Sequence, residues 1–187
     1  RKPHTVRGGR ILVLRGRGAA RERRARQSTY LTTHRTFPSL GLHKPVLAGV
    51  KAAGYSAPTE IQQKSIPLVL DGHDLVSCGE TGSGKTAAFG LPMLNMLLDH
   101  GPSLRGLILV PTRELCVQVA ENLRLYGRET GLHVRTAFGG IDIGIQEAAF
   151  RRGIDILVAC PGRLIDHLER RNLTLENIEL VVLDEAD

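Results

Sequence analysis

One octapeptide constrains this chain more than any other feature. Gly79-Glu80-Thr81-Gly82-Ser83-Gly84-Lys85-Thr86 fits the pattern GxxxxGK[ST] at every fixed position. It follows an apolar run at 74–78 and opens a segment of helical spacing over about 84–98. Strand, glycine-rich loop and helix in that order begin a βαβ unit, which commits the chain to a parallel sheet with helices on its faces. Glycines let the backbone curl so that successive N–H groups point at phosphate oxygens, and the helix N-terminus adds its positive end. In such a loop Lys85 reaches the β- and γ-phosphates and the Thr86 hydroxyl binds Mg²⁺.

The rest of the body repeats the alternation. Four further runs rich in Val, Ile and Leu lie at 106–110, 133–138, 155–159 and 179–183. They are near-continuously apolar, as parallel strands buried on both faces require. Helical spacing fills the intervals at about 112–128, 141–152 and 163–170. Two more helices, 45–53 and 60–70, precede the first strand. The last run ends in Asp184-Glu185. A carboxylate delivered by a strand end to the edge that carries the phosphate loop can hold magnesium, and Glu185 beside it can orient or deprotonate a water.

Charge divides the chain. Residues 1–36 hold eleven Lys/Arg and one acid, whereas residues 37–187 hold 14 basic and 18 acidic residues, so the overall +6 describes the tail and not the body. The tail contains Arg7-Gly8-Gly9-Arg10 and Arg15-Gly16-Arg17-Gly18, and a single apolar run, Ile11-Leu12-Val13-Leu14. It is expected to be a basic, disordered extension, with a nucleic-acid-tethering arm or an organellar transit segment as alternatives. No apolar run approaches the ~18 residues of a membrane span. Three cysteines without a CxxC pair point to a reducing compartment and no disulfide scaffold. Arg1 in place of Met, and an end at Asp187 inside a motif, suggest a fragment.

The motifs together resemble those of the DEAD-box family of ATP-dependent RNA helicases, and among them bacterial members most. Asp184-Glu185-Ala186-Asp187 spells the family's name motif. Gly54-Tyr55-Ser56-Ala57-Pro58-Thr59-Glu60-Ile61-Gln62 looks like its Q motif, with Phe37 at the place of its isolated upstream aromatic. Pro111-Thr112-Arg113-Glu114-Leu115, Gly139-Gly140 and Pro161-Gly162-Arg163-Leu164 follow in the family's order. The resemblance covers residues 37–187. It implies an α/β fold of the RecA-like phosphate-loop class, with 37–187 as an incomplete first RecA-like domain whose Q-motif region is 37–65.

The resemblance implies roles residue by residue. Gly79, Glu80, Thr81, Gly82, Ser83, Gly84, Lys85 and Thr86 cradle ATP, with Thr86 and Asp184 on Mg²⁺. Lys85, Asp184 and Glu185 carry the hydrolysis. Gln62 reads the adenine edge, Phe37 and Tyr55 pack near the base, and Thr59 links that site to the phosphate loop. Taken alone, Phe37 reads rather as a core anchor for the first helix and Gln62 as a surface helix residue. Pro111, Thr112, Arg113, Gly139, Gly140, Pro161, Gly162 and Arg163 hold an RNA backbone without regard to sequence. Two positions depart from the family pattern: Gly79 stands where Ala is usual, and Cys160 where a Thr hydroxyl contacts RNA.

The implied protein is a cytoplasmic ATP-dependent RNA helicase that needs a second RecA-like domain, and this chain alone is expected to be inactive and at most to bind nucleotide and RNA weakly. The rivals are a non-enzymatic nucleotide- or RNA-binding module and a DNA helicase. In the family a coupling strand lies between the phosphate-loop strand and the Asp184 strand. The runs 74–78 and 179–183 are therefore expected to be separated by an empty slot roughly 9–10 Å wide. That slot would leave the fragment unstable.

Overall fold

The computed structural model describes residues 9–15, 36–80, 82–99, 101 and 104–185, and of residues 9–15 the Val13 side chain alone. All five expected strands form: β2 (Leu75–Gly79), β3 (Gly106–Leu109), β4 (Val134–Ala137), β5 (Ile156–Ala159) and β6 (Leu180–Asp184). So do the helices α1 (Lys44–Ala52), α2 (Glu60–Leu70), α3 (Lys85–Met96), α4 (Arg113–Tyr126), α5 (Ile143–Arg151) and α6 (Pro161–Glu169). A short 3-10 turn at Phe37–Leu40, with Pro38 in its first turn, leads into α1.

β6, β3, β5 and β4 are parallel neighbours in that order, with Gly106 opposite both Leu180 and Ile156. Alternate residues along these strands enter two separate cores, the period-two consequence of the pleat. Ile108, Ile156, Val158, Leu180 and Val182 join Phe89, Leu94, Val119 and Leu123 of α3 and α4. Leu107, Leu157 and Ala159 join Phe150 of α5 and Leu164 of α6. The sheet is thus covered on both faces, as its continuous apolar runs require. α1 crosses α4 so closely that a Cβ at Gly49 would overlap the Tyr126 carbonyl.

The sheet also contains a strand that the sequence reading did not expect. β1 (Gly9–Arg15) lies between β2 and β6 and is antiparallel to both, giving the order β2-β1-β6-β3-β5-β4. Gly9 faces Gly79 and Val13 faces Leu75 on one side, while Ile11 faces Asp184 and Val13 faces Val182 on the other. β2 and β6 are indeed not ladder neighbours, but the slot between them is filled and not empty. The expectation of a disordered extension is corrected for residues 9–15; residues 1–8 and 16–35 lie outside the described residues. The physical reason is the apolar run that composition diluted. Two facing rows of backbone groups, each worth ~1–3 kcal/mol if left buried and unpaired, offset an ordering entropy of ~1–2 kcal/mol per residue. Val13 is buried in the larger core.

No helix among the described residues is long and apolar enough to cross a membrane.

Candidate functional site

β2 and β6 are each antiparallel to β1, so they point the same way as the other three strands. The segments after Gly79, Leu109, Ala137, Ala159 and Asp184 therefore leave the sheet at one edge. Every motif residue singled out after strand β2 sits on this edge because it is the first thing to follow an apolar strand.

The phosphate loop curls as its glycines allow: Gly82 and Gly84 have φ of 85° and 92°, in the left-handed region. A Cβ at Gly84 would overlap Gln62 Nε2 and come within 3.0 Å of Thr59 Oγ1, so only glycine fits there. Lys85 Nζ donates to the Gly79 carbonyl at 2.6 Å. Ser83 Oγ is buried without a hydrogen-bond partner, an orphaned group at the centre of the loop. Glu80 is exposed, Thr86 is half-buried in the first turn of α3, and Thr81 lies outside the described residues.

Gln62 is 3% exposed, so it is not a surface helix residue. Its Oε1 accepts from the Thr59 N–H at 3.0 Å, which caps α2. Its Nε2 donates to the Gly84 carbonyl at 3.1 Å, which ties α2 to the phosphate loop. Phe37 is buried in the larger core and stacks on Tyr55 at 6.2 Å between centroids. The Tyr55 hydroxyl shares a 2.8 Å hydrogen bond with that of Tyr126, at the end of α4. The burial of Phe37 matches the reading of it as a core anchor. A cleft of about 670 Å³ opens between α2 and the outer side of β2, lined by Thr59, Ile61, Leu68, Val76, Gly79 and Ser83.

Asp184 is buried at the end of β6. Burial foremost, with the neighbouring Glu185 carboxylate, holds its carboxyl above the usual aspartate range, while the Glu185 N–H and the Lys85 ammonium oppose that shift. Glu185 is exposed and has φ of 51°, an uncommon left-handed conformation for a side chain of this kind. Lys85 and Asp184 stand on either side of β1, near enough for the ammonium to favour the Asp184 carboxylate. A desolvated carboxylate near an ammonium, with an orphaned hydroxyl in the same loop as that ammonium, is a donor set suited to a cation-bound phosphate.

The second group of residues forms an exposed ledge further along the same edge. Thr112 caps α4 by accepting the Leu115 N–H at 3.2 Å. Arg113 lies over the Phe138 ring, 5.1 Å from its centroid, and a Cβ at Gly140 would press on the Arg113 guanidinium at 3.1 Å. Arg163 Nη1 donates to the Ile141 carbonyl at 3.0 Å. Pro111, Gly139, Pro161 and Gly162 are exposed. Cys160 precedes α6 without a side-chain cap bond, and burial raises its thiol pKa. Burial pushes the adjacent Cys116 thiol up to about 12, so neither is a thiolate at neutral pH.

Sequence reasoning missed Phe138, Gln146, His167 and Tyr126. Gln146 and His167 are polar residues on apolar helix faces, in step with Phe150 and Leu164, and both are buried. That mismatch of side-chain type and face was a readable signal.

The profile of the family described as DEAD/DEAH box helicase matches residues 59–187. The chain is 43% identical over 152 residues to the DEAD-box ATP-dependent RNA helicase CshA of Bacillus cereus, covering 81% of this chain and 29% of that protein. It is 44% identical over 165 residues to the ATP-dependent RNA helicase drs1 of Schizosaccharomyces pombe, covering 86% and 22%. Among solved structures it resembles a DEAD box protein from Methanococcus jannaschii, with a TM-score of 0.71, 33% identity and coverage of 79% and 40%. It also resembles the RNA helicase Prp28 from Chaetomium thermophilum bound to ADP, with a TM-score of 0.72, 39% identity and coverage of 78% and 37%. The chain spans less than a third of the length of these curated relatives.

Proposed function

This chain belongs to the DEAD/DEAH box helicase family, and on that footing we propose that it is the ATP-binding RecA-like part of an ATP-dependent RNA helicase. The observation that carries the reading is the shared edge. Lys85, the Gln62–Gly84 brace and Asp184 stand on its β2–β6 portion, and Arg113, Gly140 and Arg163 stand on the portion formed by β3, β5 and β4. A triphosphate and a nucleic-acid backbone bound there are neighbours on one rigid sheet, the condition for coupling hydrolysis to strand distortion.

The orphaned Ser83 hydroxyl, the side-chain-free Gly84 and the desolvated Asp184 fit a magnesium-bound triphosphate. Thr86 and Asp184 would hold Mg²⁺, which when bound neutralises charge on the β- and γ-phosphate oxygens. Lys85 exchanges the Gly79 carbonyl for phosphate oxygens, and Glu185 orients and deprotonates the attacking water. Gln62 keeps one amide hydrogen and one lone pair beyond its two bonds, enough to read an adenine edge. Phe37 supports that site from the core through Tyr55.

On the ledge, Arg113 and Arg163 meet phosphates while bare glycine backbone allows close approach, which makes binding sequence-tolerant. Duplex unwinding belongs to this domain together with a second RecA-like domain, and the site of action is the cytoplasm. The test is direct binding: the chain should bind ATP and ADP in preference to GTP, and a single-stranded RNA oligonucleotide at low salt. Failure to bind any nucleotide would overturn the reading. Tighter binding of DNA than of RNA would favour a DNA helicase.

A further inference from the structure

We propose that Gln146 and His167 are a buried positioning pair that holds the Gly139–Gly140 turn and the α6 N-terminal turn as one rigid ledge. The inference rests on the reading of those turns as contacts to an RNA backbone and adds residues that touch no RNA themselves.

The turn between β4 and α5 is gripped at its start by Gln146 of α5, which His167 of α6 braces, and at its end by Arg163 of α6. At its start, Gln146 Nε2 donates to the Phe138 carbonyl at 3.0 Å, and Gln146 Oε1 meets His167 Nε2 at 3.3 Å. At its end, Arg163 Nη1 donates to the Ile141 carbonyl at 3.0 Å. Arg163 and His167 are one helical turn apart, so a single face of α6 supplies one grip and braces the other. Gly139 and Gly140 hang exposed between them. Asn172 Nδ2 lies 3.3 Å from His167 Nδ1. An amide donor there makes Nδ1 the acceptor, which assigns the ring's hydrogen to Nε2 and orients it at Gln146. The Phe150 ring packs edge-on against the imidazole at 4.8 Å.

Burial gives the arrangement its stiffness. Gln146 is 3% exposed and His167 is fully buried, inside a core otherwise made of Leu, Phe and Ala. An apolar pair would pack there without specifying an angle. Directed hydrogen bonds in a low-dielectric core fix one arrangement, because every alternative leaves a donor or acceptor unpaired. The Arg113 guanidinium, seated over the Phe138 ring, inherits the same placement.

The test uses the whole chain with Gln146→Leu, His167→Phe and the double variant. Three quantities are read: NMR order parameters of the Gly139, Gly140 and Gly162 amides, affinity for a ten-nucleotide uridine strand, and affinity for ATP. Each single variant should lower the order parameters of both turns together and weaken RNA binding about tenfold, with ATP affinity unchanged. The double variant should be no worse than the weaker single one, as members of one network behave. Order parameters that stay high at both turns while melting temperature falls would overturn the pair and leave it a packing contact. If Arg163→Ala leaves RNA affinity unchanged, the RNA reading fails, while the order parameters still judge the pair.

Discussion

The Gln62 amide donates to the Gly84 carbonyl at 3.1 Å, so the helix before the first core strand is fastened to the loop that follows it. The same side chain caps its own helix through Thr59. Gln62→Ala should therefore weaken both recognition and the fold. We expect about a tenfold loss of ATP affinity, reduced preference over GTP, and a stability loss of ~1–2 kcal/mol from the cap and the orphaned carbonyl. Competition binding with both nucleotides and urea unfolding measure the two effects. Unchanged ATP and GTP affinities would remove Gln62 from the site.

Lys85 should separate binding from folding. Its ammonium donates to the carbonyl of the half-buried Gly79. A charge-assisted bond to phosphate contributes about 1.5–3 kcal/mol, so Lys85→Ala should lower ATP affinity roughly 10- to 100-fold. The melting temperature without nucleotide should move little. ATP affinity within twofold of the parent chain would contradict the assignment.

β1 makes the tail structural. Removing residues 1–35 should expose both ladders beside β2 and β6 and leave a chain that aggregates or melts early. Leu12→Pro should do the same by deleting one backbone donor and fixing φ. A synthetic peptide of residues 9–15 should restore the melting transition of the truncated chain in trans. A truncated chain that melts like the intact one would show that the strand is dispensable.

His167 gives a pH signature. Its pKa is lowered by burial first and by Arg163, with Arg170 acting the same way and Asp166 and Glu147 opposing. A base whose folded pKa lies below its ordinary 6.5 takes its proton more readily when unfolded. The stability it contributes is present above pH 6.5 and is lost as pH falls through the folded value. Urea midpoints measured from pH 7.5 to 5 should fall less steeply for His167→Phe than for the parent chain. Parallel curves would mean that His167 titrates as it does in the unfolded chain.

Arg113→Ala and Arg163→Ala should each weaken RNA binding evenly across sequences and reduce the log-affinity versus log-salt slope by about 0.7. Sequence-dependent losses would instead point to base readout.

Most of the body was legible because its signals are local. Five apolar runs, helical spacing and the octapeptide place β2 through β6 and α1 through α6 to within a few residues. The edge that gathers Lys85, Asp184 and the ledge follows from parallel strands alone. What was illegible depends on partners distant in sequence. Ile11-Leu12-Val13-Leu14 is an ordinary short run until two unpaired ladders face it. Phe37 reads as a core anchor or, by resemblance, as an aromatic near the base, and its place in the core shows only once Tyr55 stacks on it. Gln146 and His167 acquire a role only once α5 and α6 lie side by side on the same face.

The antiparallel strand also dictates an order of assembly. β1 precedes every other described element, yet one of its two partners, β6, is the last of them. During synthesis one side of β1 can pair with β2 early, whereas its other side must wait until residues 180–184 have emerged. Closing β1 on β6 sets Ile11 opposite Asp184, the kind of non-local contact that slows folding. Gly79 and Asp184 are tied through β1 only at that final step. The nucleotide pocket should therefore mature late, and an ATP-dependent signal should lag behind the formation of helices in a refolding experiment.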